Sequence, residues 1–101
     1  MKKFTFRRIP RTGSFRSFEP KSTAIKLSGK VVGYIHEQKD SNFWRIRLAV
    51  KREKTERNPA PFRWVTLVGV YEDEESAREM LRELYDKIQM KYDLHRFEDL
   101  G

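Results

Sequence analysis

From Trp44 to Lys51 the chain alternates without a break: Trp44, Ile46, Leu48 and Val50 make one row, and Arg45, Arg47, Ala49 and Lys51 the other. A period of two marks a strand with one row against a core. The first row is therefore the core face, and the basic row needs another explanation. Upstream, Ile25 and Leu27 alternate before the turn signal "SGK", and the β-branched "VVGYI" follows. This predicts a hairpin with strands near 23–27 and 31–37. "KDSN" at 39–42 predicts a second turn. The segment "REKTERNPAP" cannot extend the strand, because it is charged and Pro59 and Pro61 lack an amide donor; it reads as a long loop. "FRWVTLVGV" then resumes the strand pattern. Phe62, Trp64, Thr66 and Val68 alternate with Arg63, Val65 and Leu67, and placing Trp64 in the core row turns Arg63 outward.

From Asp73 the period changes to three and four. Ala77, Met80, Leu81, Leu84, Ile88 and Tyr92 form one apolar stripe. Asp73 is a suitable N-cap, and "EDEES" puts carboxylates near the positive end of the helix dipole. Glu74 with Arg78, and Glu83 with Lys87, stand at the i,i+4 spacing. The pattern predicts an α+β domain over residues 23–94, in which a three- or four-stranded antiparallel sheet packs on one C-terminal amphipathic helix. Residues 1–22 read as a basic, Phe-containing extended arm, and residues 95–101 as a short tail. One helix covers one face of such a sheet and leaves the other open.

Charge sharpens this picture. Residues 1–30 carry nine Lys/Arg against Glu19, for +8; residues 31–71 carry eight against four, for +4; residues 72–101 carry five against ten, for −5. The basic field belongs to the first two thirds of the chain and points to a polyanionic partner. On the open face the candidates for nucleic-acid contact are Arg45, Arg47, Lys51 and Arg63, flanked by Arg52, Lys54 and Arg57, with Arg7, Arg8, Arg11 and Arg16 in the arm. Ile35, Val65 and Leu67, with Phe15 and Phe18 of the arm, are the candidates for contact with a protein.

Residues 33–92, in "GYIHEQKDSNFWRIRLAV" and "RWVTLVGVYEDEESAREMLRELYDKIQMKYD", resemble the plant ethylene-response-factor DNA-binding domain. They are also similar to the arm-type amino-terminal domains of tyrosine-recombinase integrases. The likeness lies in an aromatic-led strand, Gly69 and Tyr71 at the strand exit, the acidic helix start, Ala77 toward the sheet and Tyr92 near the helix end. It implies a three-stranded sheet that enters a DNA major groove. At positions that meet bases in the plant domain this chain has Ile35, Glu37, Val65 and Leu67, while Arg45 and Arg47 keep a polar outward role.

Little points to catalysis, so no enzyme and no cofactor is expected. The chain has no cysteine, its two histidines, His36 and His95, are far apart in sequence, and it contains neither a GxGxxG nor a phosphate-loop motif. No apolar run approaches a membrane span and the start lacks a secretory signal, so the expected location is intracellular, cytoplasmic or nucleoid-associated. The expected function is nucleic-acid binding. Duplex DNA is favoured over RNA, in an accessory or regulatory role of phage or mobile-element type. An RNA-binding ribonucleoprotein component and a small inhibitor of a host or partner protein are the alternatives.

Overall fold

The computed structural model describes residues 3–9, 21–38 and 42–98. Among these described residues five strands lie in one antiparallel sheet in chain order: β1 (Thr5–Arg8), β2 (Ser22–Leu27), β3 (Lys30–Glu37), β4 (Trp44–Lys51) and β5 (Phe62–Thr66). Two helices follow, α1 (Glu74–Glu83) and α2 (Tyr85–Lys91). The α+β class is as expected, but the strand count is five rather than three or four. The fifth strand comes from the segment read as an arm: Thr5–Arg8 pairs with Thr23–Lys26, and Phe4 just before it is only 1% exposed. Phe4 packs edge-on to Tyr85 with ring centroids 5.1 Å apart, and Phe6 leans on the core.

Turn chemistry sets the hairpins. Ser28 and Gly29 both have positive φ, 53° and 82°, the requirement of a two-residue type I′ loop whose twist suits the flanking strands. At the next turn Asn42, one of the few residue types that tolerates the left-handed region, takes φ 58°. The Gln38 N–H to Phe43 carbonyl bond of 2.6 Å closes that hairpin.

Ile25, Ile35, Ile46 and Leu48 are fully buried on one face of the sheet, against Ala77, Leu81 and Ile88 of the helices. Asp73 caps α1 by accepting from the Ser76 N–H at 2.7 Å. The single expected helix is broken at Leu84, whose φ and ψ are −92° and 6°, although Leu84 N–H still reaches the Met80 carbonyl. Glu74 pairs with Arg78 at 3.0 Å; among the described residues Glu83 and Lys87, which straddle the break, do not pair.

Residues 93–97, which follow α2, join the sheet. Asp93 and His95 hydrogen-bond the β4 backbone at Lys51 and Ala49, and Phe97 exchanges two bonds with Val31 at the start of β3. Residues 93–97 are thus wedged between β3 and β4 where those strands part, with Leu94 buried. The parting begins next to the Gly33–Leu48 pair. At Gly33 a Cβ would lie 2.2 Å from the Arg47 carbonyl oxygen, so only glycine lets the strands stay this close.

Candidate functional site

The register of β3, β4 and β5 decides which side chains share the face away from the helices. Tyr34 pairs with Arg47 and His36 with Arg45, while Arg47 pairs with Thr66, Ala49 with Trp64 and Lys51 with Phe62. The basic row of β4 therefore stands on the open face as expected. Arg45 is exposed and has no carboxylate partner among the described residues, whereas Lys51 is 3.5 Å from Asp93 in an exposed pair.

Two placements reverse the expectation for β5. Trp64 is not in the core row; it lies on the open face, 38% exposed, and Arg63 turns to the helix side at the sheet edge. Both rows of this strand are partly apolar, so periodicity could not choose between them. The choice follows where polarity is tolerated: Val65 and Leu67 pack against the core, while the amphipathic indole takes the half-wet face. Of the candidates for protein contact, three lie among the described residues. Ile35 is fully buried beside Ile46 and Val65 and Leu67 lean on the core, so these three do not form an exposed apolar patch.

The remaining cations divide. Arg7 on β1 pairs with Ala24 and lies on the side opposite Phe6, hence on the open side. Arg8 instead pairs with Glu74 at 3.1 Å. Arg52 donates its Nε to the Ala60 carbonyl at 3.1 Å, and Lys54 and Arg57 are exposed in the β4–β5 loop. Arg11, Arg16, Phe15 and Phe18 lie outside the described residues.

What periodicity did not bring out is a connected group of rings on the open face. Tyr34 and His36 stack at 5.5 Å, Tyr34 meets Trp64 at 5.9 Å, and Phe62 meets Trp64 at 5.5 Å. The wedge adds His95, stacked on Phe62 at 4.9 Å, and Phe97, nearly parallel to Trp64 at 6.0 Å. The Arg47 guanidinium lies 5.0 Å from the Trp64 ring centre. Ala49, opposite Trp64 in the register and fully buried, is small enough for rings from β3 and β5 to meet above β4. His36 Nδ1 shares a 2.8 Å hydrogen bond with Ser22 Oγ. Burial, and secondarily the charge of Arg47, hold its pKa below the ordinary histidine value, so at neutral pH it is an uncharged ring.

A recess of about 1030 Å³ opens elsewhere, beside Glu74 and bordered by Arg8, Thr23, Trp44 and Arg78. Two of its cations, Arg8 and Arg78, are already paired with Glu74. Glu74 accepts from Thr23 Oγ1 and from Arg8 and Arg78. Burial works to raise its pKa, but these three partners together hold it below the usual carboxylate value. The Arg78 guanidinium also stacks over Phe6 at 5.0 Å. This cluster ties β1 and β2 to α1 and is a structural clamp. Among the described residues there is no group of three or more His, Cys, Asp or Glu placed to hold a metal ion, and no helix is long and apolar enough to cross a membrane.

Comparison with family models, curated proteins and solved structures returns no match to this chain. The resemblance seen in residues 33–92 rests on those residues alone, and function has to be read from the open face.

Proposed function

We propose that this chain is a small nucleic-acid-binding protein whose binding surface is the open face of its sheet. One observation carries the reading: Arg45, Arg47 and Lys51 project in a single row from a central strand, on the face opposite the helices. A row of cations on a rigid strand can follow a phosphate backbone, and displacement of counterions makes such binding favourable and salt-dependent. Arg7 on the edge strand extends the same side, and Lys54 and Arg57 flank it from the loop. Duplex DNA, bound in an accessory or regulatory role of phage or mobile-element type, is one form of this reading; the resemblance to sheet-type DNA-binding domains favours it. The ring cluster on the same face favours the other form, binding of unpaired bases.

The test is titration of duplex DNA, single-stranded DNA and RNA of equal length across a salt series, with wild type and Arg45→Ala/Arg47→Ala. Each lost phosphate contact is expected to lower the log–log salt slope by about 0.9 on duplex DNA or about 0.7 on a single strand. Equal affinity and slope for the folded double variant would overturn the reading.

A further inference from the structure

We infer that the open face holds single-stranded nucleic acid by stacking unpaired bases on Trp64 and on the Tyr34–His36 pair. This inference rests on the nucleic-acid reading above and names its ligand class.

Three observations carry it. First, the rings are accessible. Trp64 is 38% exposed, and Tyr34 and His36 are half-buried, whereas a tryptophan recruited only for packing is enclosed as Trp44 is, at 8%. Second, the rings are held in place. Phe62 meets the indole edge-on and Phe97 lies nearly parallel to it, and Ser22 anchors the His36 ring, so little rotamer entropy remains to be lost when a base stacks. Third, cations border the rings. Arg47 lies over Trp64 and Arg45 stands opposite His36, giving charge complementarity to a phosphate chain that runs beside its bases. Rings for bases and guanidinium groups for phosphates on one surface are the combination that binds single strands.

Arg47 has a specific part in this. Without ligand it lies over the Trp64 ring; a base that takes that place leaves the guanidinium beside the stack, free to meet the adjoining phosphate. His36 contributes a ring stacked on Tyr34 and held by Ser22.

The sheet's breadth argues against insertion into a duplex groove. Five strands about 4.8 Å apart span roughly 19 Å, whereas the major groove is about 12 Å wide and takes a two-stranded ribbon. A single strand laid across the sheet meets no such limit.

The experiment compares an oligo(dT) of about ten nucleotides with an abasic oligonucleotide of the same length and charge, using wild type, Trp64→Ala and Trp64→Phe. Wild type is expected to bind oligo(dT) more tightly than the abasic strand by roughly five- to one-hundred-and-fifty-fold for each base that stacks. Trp64→Ala should remove one base's share of that ratio, while Trp64→Phe, which keeps a π face, should retain part of it. Because stacking meets the base and not the sugar, oligo(rU) should bind within about threefold of oligo(dT). Equal binding of oligo(dT) and abasic strand by wild type would overturn the stacking assignment while leaving the phosphate-binding face intact. Failure of wild type to bind either strand, or a duplex of the same length, would overturn the nucleic-acid reading itself. A ratio unchanged in folded Trp64→Ala would place the bases elsewhere.

Discussion

The Arg47 guanidinium and the Trp64 ring lie 5.0 Å apart, on adjacent strands of the face that no helix covers. A cation over an exposed indole stabilises by only about 0.5–1 kcal/mol. The pair therefore adds little to the fold. Trp64→Ala, which also removes the contacts with Tyr34, Phe62 and Phe97 but at a 38% exposed position, is expected to lower stability less than Ile46→Ala, which removes a fully buried side chain and should cost about 2–5 kcal/mol. Denaturant unfolding of both variants checks the contrast, and comparable losses would mean that the ring cluster is a second core.

The amino-terminal strand belongs to the domain. Phe4→Ala should cost about 3–5 kcal/mol, since this ring is 1% exposed and packs on Tyr85. Removal of residues 1–9 should go further by taking away β1 as well. Thermal melts read both; a truncated chain that melts like wild type would show that β1 carries no stability.

Gly33→Ala probes the divergence of β3 and β4. Its new Cβ would meet the Arg47 carbonyl oxygen at 2.2 Å, and backbone cannot move aside as a flexible side chain does. The expected loss is about 1–3 kcal/mol or more, with faster amide exchange at Leu48, its partner in the register. Wild-type stability and exchange would contradict this close approach.

Stability should fall with acid in two steps. His36 has a depressed pKa, so its contribution is present above the unfolded-state value, about 6.5, and is lost as pH falls through the folded one. Glu74 is also depressed, and its contribution is present above about 4.3 and lost at lower pH. In both cases the unfolded chain binds more protons, so stability rises with pH. His36→Asn should flatten the upper step and Glu74→Gln the lower one, as read by urea titrations from neutral to acid pH.

Much of the fold was legible because local chemistry agreed with the tertiary result. Ser28–Gly29 marked the hairpin, Trp44–Val50 alternated cleanly, and Asp73 capped the helix. The basic row of β4 was legible for the same reason, since alternation assigns it to the face away from the core. β1 was not legible, because four residues among Lys, Arg and Pro carry no sustained period and gain their place only by pairing with β2. The wedge was equally silent: His95 and Phe97 acquire meaning from the gap that Gly33 and Leu48 open far earlier in the chain. Trp64 was misplaced because both rows of β5 are partly apolar, and its neighbours Tyr34 and Phe97 come from distant segments. A signal was present in the alternation of Tyr34 with His36 and of Phe62 with Trp64, each pair two residues apart and therefore on one face.

Binding at the open face is tested most directly by following backbone and indole N–H resonances of the labelled protein while a single-stranded oligonucleotide is added. Shifts are expected to gather at Tyr34, His36, Arg45, Arg47 and the Trp64 indole, with the buried Trp44 indole and the outer faces of α1 and α2 unmoved. Shifts gathered on the helices, or none at saturating oligonucleotide, would contradict it.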